Sequence, residues 1–216
     1  MSKDPRANRH HHLGREAIAR AALIIVDRDG AAALSLRKVA AELGVSAMSI
    51  YHYVPAREAI VADLVGLLLD EMDLSLRPGL TWAEGAKQVG RSLRGVAMRH
   101  PRAFELVAAA ANEQQPVLDF ARRLRRFYVE LGAPIDAFVE VWSVLDAFET
   151  GFLLMETKAL LRSSAPSTGE MDEETSELAD RMPATLSAAA YEEGLELIVG
   201  GLEARLHGDG VRPATS

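Results

Sequence analysis

The stretch from Ser35 to Arg57, SLRKVAAELGVSAMSIYHYVPAR, concentrates the side chains most suited to recognition chemistry. Ser35 is placed to cap a helix whose Leu36, Val39, Ala40 and Leu43 form one apolar stripe. Gly44 supplies the left-handed residue that ends this helix, and Val45 packs behind it. Ser46 then caps a second short helix, with Ile50 inward and Val54 one turn later. Ala47, Met48, Ser49, Tyr51, His52 and Tyr53 are left facing outward or at its margins. Ser35, with Arg37 and Lys38 just inside the first helix, stands where a phosphate can meet backbone amides and basic side chains. Ala47, Met48 and Ser49 occupy the exposed start of the second helix. Small and apolar, they suit thymine methyls, a few hydroxyl hydrogen bonds and readout of DNA shape. A short helix of this kind, propped by another, fits the major groove of duplex DNA. The same spacing also fits a helical hairpin in an ordinary bundle.

The division of charge favours the first reading. The 216 residues carry a formal net charge of −7. Residues 1–60 hold nine Lys/Arg against six Asp/Glu, and the remainder fifteen against twenty-five. The basic excess therefore lies where a duplex would dock, and the acidic bulk elsewhere. Lys3, Arg6, Arg9 and His10–His12 make residues 1–12 a flexible basic arm, read as a solvated tail that could add backbone contacts. The three neighbouring His are taken as neither a tag nor a metal site.

These elements need a scaffold, and composition supplies one. At 49% hydrophobic and 25% charged, the chain can bury a substantial core. It has no Cys, which excludes disulfides and thiolate metal sites and fits a reducing, cytoplasmic compartment. No apolar run reaches membrane-spanning length, and no signal peptide is visible. Pro and Gly punctuate the chain into helices, giving an all-α fold. One helix is predicted from about Leu13 to Arg28, closed by Gly30, and another from about Pro55 to Leu74. Thr81 and Glu84 form a capping box that opens a helix running to about Met98. A short helix starts at His100-Pro101, and a longer one spans Pro116 to Leu131. Arg122, Arg123, Arg125 and Arg126 on the latter are read as a solvated face paired with acidic neighbours.

The helix from Pro134 to about Leu161 is apolar nearly all round, and must be buried on two sides. The last, from Ser187 to about Leu206, carries Gly194, Gly200 and Gly201 among its apolar residues, and Gly151 plays the same part on the former. Glycines there suggest close approach of another helix. A homodimer with a four-helix interface follows, with Val144, Gly151, Met155, Leu195, Ile198 and Leu202 at the contact. Completion of a monomer core is the other reading of these faces. Arg162 to Met182, rich in Ser, Gly and acids, is expected to be a mobile acidic loop with one short helix from Asp172 to Arg181.

Leu34-Ser35-Leu36-Arg37-Lys38-Val39-Ala40, Leu43-Gly44-Val45-Ser46, Ser49-Ile50-Tyr51-His52-Tyr53-Val54 and Arg57 together resemble the TetR family of bacterial repressors, over roughly residues 15 to 75. The resemblance implies a three-helix helix-turn-helix domain followed by a helical dimerisation and effector-binding domain. It assigns phosphate contacts to Tyr51 and Tyr53, a backbone anchor to Arg57 and a variable position to His52, and allows Arg37 to reach a guanine edge. It also implies an effector pocket among the helices after residue 80, with Phe104, Val107, Phe120, Leu124, Phe138, Trp142, Leu145 and Phe152 as lining candidates. Residues 99–151 broadly resemble the tetracycline-repressor type, but no magnesium-binding His can be placed. His100, beside Pro101 at a helix start, suits a capping or surface role. Neither a metal nor a cofactor is expected, and the effector is read as apolar or aromatic.

The expected organisation is an arm at 1–12, a DNA-binding domain at 13–58 and an effector and dimerisation domain at 59–210, with its acidic loop at about 162–182. The expected function is a ligand-responsive transcriptional regulator, most simply a repressor, that binds a palindromic operator as a homodimer. An all-α enzyme is disfavoured because no Ser/His/Asp set, no paired His at i, i+4 and no phosphate loop is present. A partner-binding module of the same fold that has lost operator binding is disfavoured by the joint presence of Ser35, Arg37, Tyr51, Tyr53 and Arg57.

Overall fold

The structure is a computed structural model that describes residues 13–133, 138–163, 177 and 186–208. Every regular element among them is helical: α1 (Arg15–Asp29), α2 (Leu36–Leu43), α3 (Ala47–Tyr51), α4 (Arg57–Asp70), α5 (Trp82–Arg99), α6 (Phe104–Ala108), α7 (Gln115–Glu130), α8 (Phe138–Ser163) and α9 (Ala188–Gly208). A single 3₁₀ turn, Ala31–Ala33, joins α1 to α2.

The first three helices close around Ile18, Ala22, Ile25, Val39, Ile50 and Val54, all fully buried. Ser35 caps α2 by accepting the Lys38 N–H at 3.3 Å. Gly44 ends it with φ +67°, and the Val45 N–H returns to the Ala40 carbonyl at 2.9 Å. Ser46 caps α3 through the Ser49 N–H, and the two hydroxyls are themselves bonded at 2.9 Å. Helix α3 is one and a half turns long, so its orientation comes from Ile50 beneath it rather than from its own propensity.

Helix α4 is the connecting rod. Ile60, Leu64 and Leu68 are fully buried, and the helix packs against both α1 and α7. It stops at Asp70, one turn short of the predicted Leu74. The reason is local competition: the Asp73 N–H donates to the Ser92 hydroxyl at 2.7 Å, and its carboxylate accepts the Ser75 N–H at 2.9 Å. Those bonds replace the next helical turn, and the Ser75 hydroxyl and N–H together hold the Asp73 carboxyl below its ordinary range.

The capping box forms as predicted, with the Glu84 carboxylate accepting the Thr81 N–H and the Thr81 hydroxyl accepting the Glu84 N–H. Helix α6 begins at Phe104, later than predicted, because the His100 carbonyl accepts the Ala103 and Phe104 N–H groups in a turn. Helix α8 continues to Ser163, two residues beyond the predicted end. Residues 1–12, and the predicted short helix from 172 to 181 apart from residue 177, lie outside the described residues. None of the described helices is long and apolar enough to cross a membrane.

Candidate nucleic-acid interface and effector cavity

At the recognition end, α3 presents Met48, 77% exposed, together with Tyr51, His52 and Tyr53. The His52 and Tyr53 rings meet edge to face with centroids 6.4 Å apart. Arg37 and Lys38 are exposed on the first turn of α2, on the same N-terminal side as the Ser35 cap. Ala47 is half-buried and Ser49 is engaged with Ser46, which leaves Met48 as the most prominent side chain of the helix. The predicted recognition residues thus come together around α3, with Ile50 and Val54 inside.

Arg57 has a role that its sequence position did not announce. Its Nε donates to the Leu34 carbonyl at 3.1 Å and its Nη2 to the Ala31 carbonyl at 2.8 Å. The guanidinium therefore ties the start of α4 to the α1–α2 connector. The Ala31 carbonyl also accepts the Leu34 N–H in the 3₁₀ turn at 3.2 Å, so the guanidinium adds a second, charge-assisted bond there and supplies a donor to the Leu34 carbonyl in the connector.

The far end of α4 is tied just as firmly. Arg123 of α7 donates to the Leu69 carbonyl at 3.1 Å, pairs with Asp70 and covers the Phe120 ring at 5.7 Å. Arg122 pairs with Asp119. These two arginines have the acidic partners expected of a solvated face, and Arg125 and Arg126 are exposed. His100, expected at a cap or on the surface, is partly buried instead. Its Nδ1 lies 2.7 Å from Asp27 Oδ2, and its Nε2 lies 3.4 Å from Glu71 Oε1. Arg99 donates twice to the same Glu71. The ends of α1, α4 and α5 are therefore cross-linked by side chains.

A cavity of about 140 Å³ lies among α4, α5, α7 and α8, with Leu206 of α9 at its edge. Five of the predicted lining residues surround it: Val107, Phe120, Leu124, Trp142 and Leu145. Phe104 does not; it is buried in the core as the apolar anchor of the short helix α6. Phe152 does not either, because it is turned towards Phe148 and Tyr191, with ring centroids 5.8 and 5.3 Å away. The side chain of Phe138 lies outside the described residues. Val65 and Leu69, with Met72 two residues beyond the helix end, place the C-terminal half of α4 in the cavity wall.

Sequence reasoning missed the polar side of the wall: Asn112, Tyr128, Asp146, Glu149 and Thr150. Glu149 is only 6% exposed. Its carboxyl lies against Gly90, where an added Cβ would come within 2.6 Å of Oε1. Burial, and then the neighbouring Asp146, push the Glu149 carboxyl up to about 8. Asp146 is exposed on its outer side, and partial desolvation raises it, less so because Thr150 bonds it. Burial also raises the Tyr128 phenol. An acid at position 149, amid the apolar residues Leu145, Phe148 and Phe152, was the available signal, since a carboxylate is seldom buried without a purpose. Among the described residues no cluster of His, Cys, Asp and Glu could hold a metal ion.

The proposed interface residues divide. Val144, Gly151 and Met155 are exposed along one stripe of α8. Leu195 and Leu202 are not on that face; both are buried inside the protomer, and Ile198 packs half-buried against the same core. The reason is that Leu195 closes over Gly90 of α5, which turns the opposite face of α9 outward. That face carries Leu197, 71% exposed, with Gly200 and Gly201. An added Cβ at Gly151, Gly200 or Gly201 would meet nothing within 4 Å, whereas at Gly194 it would strike Phe148 at 2.5 Å. Gly194 thus serves close packing within the protomer.

Comparison with known proteins covers both halves. Residues 18–64 match the family model for bacterial regulatory proteins of the tetR family, and residues 77–206 match that for the tetracyclin repressor-like C-terminal domain. The HTH-type transcriptional repressor DrrR1 of Streptomyces coeruleorubidus is 31% identical over 111 residues, which make up 48% of this chain and 37% of that protein. The chain thus spans under two fifths of DrrR1's length. The tetracycline repressor protein class C of Escherichia coli is 26% identical over 204 residues, 88% of this chain and 91% of that one. Among solved structures, the Streptomyces coelicolor TetR family protein ActR in complex with (S)-DNPA superimposes with a TM-score of 0.68 at 25% identity, over 89% of this chain and 98% of that one.

Proposed function

Because the chain belongs to the tetR family of bacterial regulatory proteins, we propose that it is a ligand-responsive, DNA-binding transcriptional regulator, acting as a repressor. The observation that carries this reading is the placement of α4. Its first residue is bonded to the connector that carries α2 and α3, and its last two turns line the cavity. Its fourteen residues span about 20 Å. A change in cavity occupancy that moves Val65, Leu69 or Met72 is therefore delivered to the recognition end by one rigid element. Such a ligand shifts DNA affinity only by its preference for one arrangement of α4 over the other.

Residues 13–58 are assigned as the DNA-reading head and 59–210 as the effector and dimerisation body. In the proposed complex, α3 enters the major groove with Met48, Ser49 and Ala47 towards base edges. Ser35, Arg37, Lys38, Ser46, Tyr51, His52 and Tyr53 contact or flank the backbone. Arg57 orients the head through its two carbonyl bonds. The exposed stripes of α8 and α9, through Val144, Gly151, Met155 and Leu197, form a two-fold interface with a second copy. Two such heads then meet half-sites about 34–36 Å apart. A regulator of this kind works in the cytoplasm without metal or cofactor, and its effector occupies the cavity, against the aromatic and aliphatic side of the wall.

Selection on a random duplex library with purified protein tests the reading. A two-fold-symmetric site should be enriched, and its binding should weaken steeply with salt. Failure to enrich any site, from protein shown to be folded and dimeric, would overturn it.

A further inference from the structure

The cavity's two sides differ in chemistry, and that difference specifies a ligand class. One side is aromatic and aliphatic: Phe120 and Trp142 meet edge to face with centroids 6.4 Å apart, and Leu124 and Leu145 complete it. The other side carries Glu149 and Asp146, one turn apart on α8. No Lys, Arg or His is among the described lining residues. On α5, the helix packed against Glu149, the bases Lys87, Arg91 and Arg94 are bonded to Glu196, Glu192 and Glu156. Tyr191 of α9 donates its hydroxyl to the Gly90 carbonyl at 2.9 Å. Tyr128 faces the pair from α7, and burial keeps its phenol neutral. The two carboxyls thus sit at the wall of a largely apolar cavity with no cation among its described residues.

We infer that the cavity selects a compact aromatic ligand carrying a protonated amine, which Glu149 and Asp146 receive while the ring lies against Phe120 and Trp142. The inference rests on the reading that this cavity is the effector site. Size sets the body of the ligand: about 140 Å³ is close to the roughly 150 Å³ of an apolar cavity that holds a single benzene ring. Charge sets its head. An anionic head would meet two carboxyls and no base. A neutral head would gain one ordinary hydrogen bond, whereas an ammonium gains a charge-assisted bond to the buried Glu149 carboxyl and a second to the more exposed Asp146. Glu149 holds its proton at neutral pH when the cavity is empty. Entry of a cation expels that proton to bulk water, so binding tightens as pH rises towards about 8 and releases up to one proton per site.

The chain's two tryptophans, Trp82 and Trp142, both line the cavity, so their fluorescence reports occupancy directly. The test titrates the full-length protein with 2-phenylethylamine, 2-phenylethanol and phenylacetate, which share a ring and differ in the head. The amine should bind about tenfold or more tighter than the alcohol, and the carboxylate weakest. Calorimetry in buffers of differing ionisation heat should show proton release with the amine alone. Glu149→Gln should bring the amine and the alcohol to similar affinity, and Asp146→Asn should reduce the gap in part. If the alcohol binds the parent protein as well as the amine does, or the carboxylate binds best, the cation assignment fails and the cavity reading survives. If no probe changes the fluorescence or produces heat, both fail.

Discussion

Replacing Glu149 by Gln removes one ionisable group and keeps the side chain's shape, so its effect on stability should be a function of pH alone. The folded-state carboxyl is pushed up to about 8 by burial and by Asp146, against an ordinary value of 4.5. A group raised in this way binds a proton in the folded chain that it releases on unfolding. Stability contributed by that proton is present in full below about 4.5, and is lost as pH rises towards about 8. Within that window the loss approaches about 1.4 kcal/mol per pH unit. Integrated between about pH 5.5 and about pH 7.5, the parent protein should lose about 2.5 kcal/mol that the Gln variant keeps. For a chain of this size that corresponds to a Tm gap opening by about 5–10 °C over the interval. Thermal unfolding of both proteins at one protein concentration and several pH values measures the gap. The neighbouring Asp146 titrates as part of the same pair, so the gap belongs to the pair's shared proton. Parallel Tm-versus-pH curves would refute the reasoning, because they would mean that Glu149 is ionised in the folded chain or solvated through the cavity.

Three other substitutions separate the roles assigned above. Lys38→Ala should lower the slope of log affinity against log salt by about one, without altering the selected sequence; a changed sequence preference would show that Lys38 reads bases. Arg57→Ala removes two charge-assisted bonds, to the Leu34 and Ala31 carbonyls, so it should cost about 2 kcal/mol of unfolding free energy in urea titration. Unchanged stability with weakened DNA binding would instead return Arg57 to a direct phosphate contact. Leu197→Glu introduces a charge into the exposed face of α9 and should shift the protein towards monomer in sedimentation velocity, whereas a dimer of undiminished affinity would place the interface elsewhere.

The recognition end was legible in the sequence because its devices are local. Ser35 and Ser46 cap over three residues, Gly44 needs only its own positive φ, and Ile50 is the one large apolar residue that α3 can turn inward. The capping box at Thr81 was legible for the same reason. Helix ends shifted where a side chain from another element intervened, as Ser92 does at Asp73.

Which face of α8 and α9 points inward was not written in their periodicity. Apolar residues ring α8 nearly all round and fall on more than one face of α9, so the choice falls to partners remote in the chain. Gly90 admits Leu195 and Glu149 at close range, and Phe148 occupies the space beside Gly194. Those contacts bury Leu195 and Leu202, expose Leu197, and set two carboxyls against the wall of an apolar cavity. Likewise, the sequence placed a basic residue at the start of α4, but only the fold put the Ala31 and Leu34 carbonyls within its reach. Short-range hydrogen bonding and spacing determined the elements and the head. Burial, which depends on how distant segments meet, decided the chemistry of the cavity.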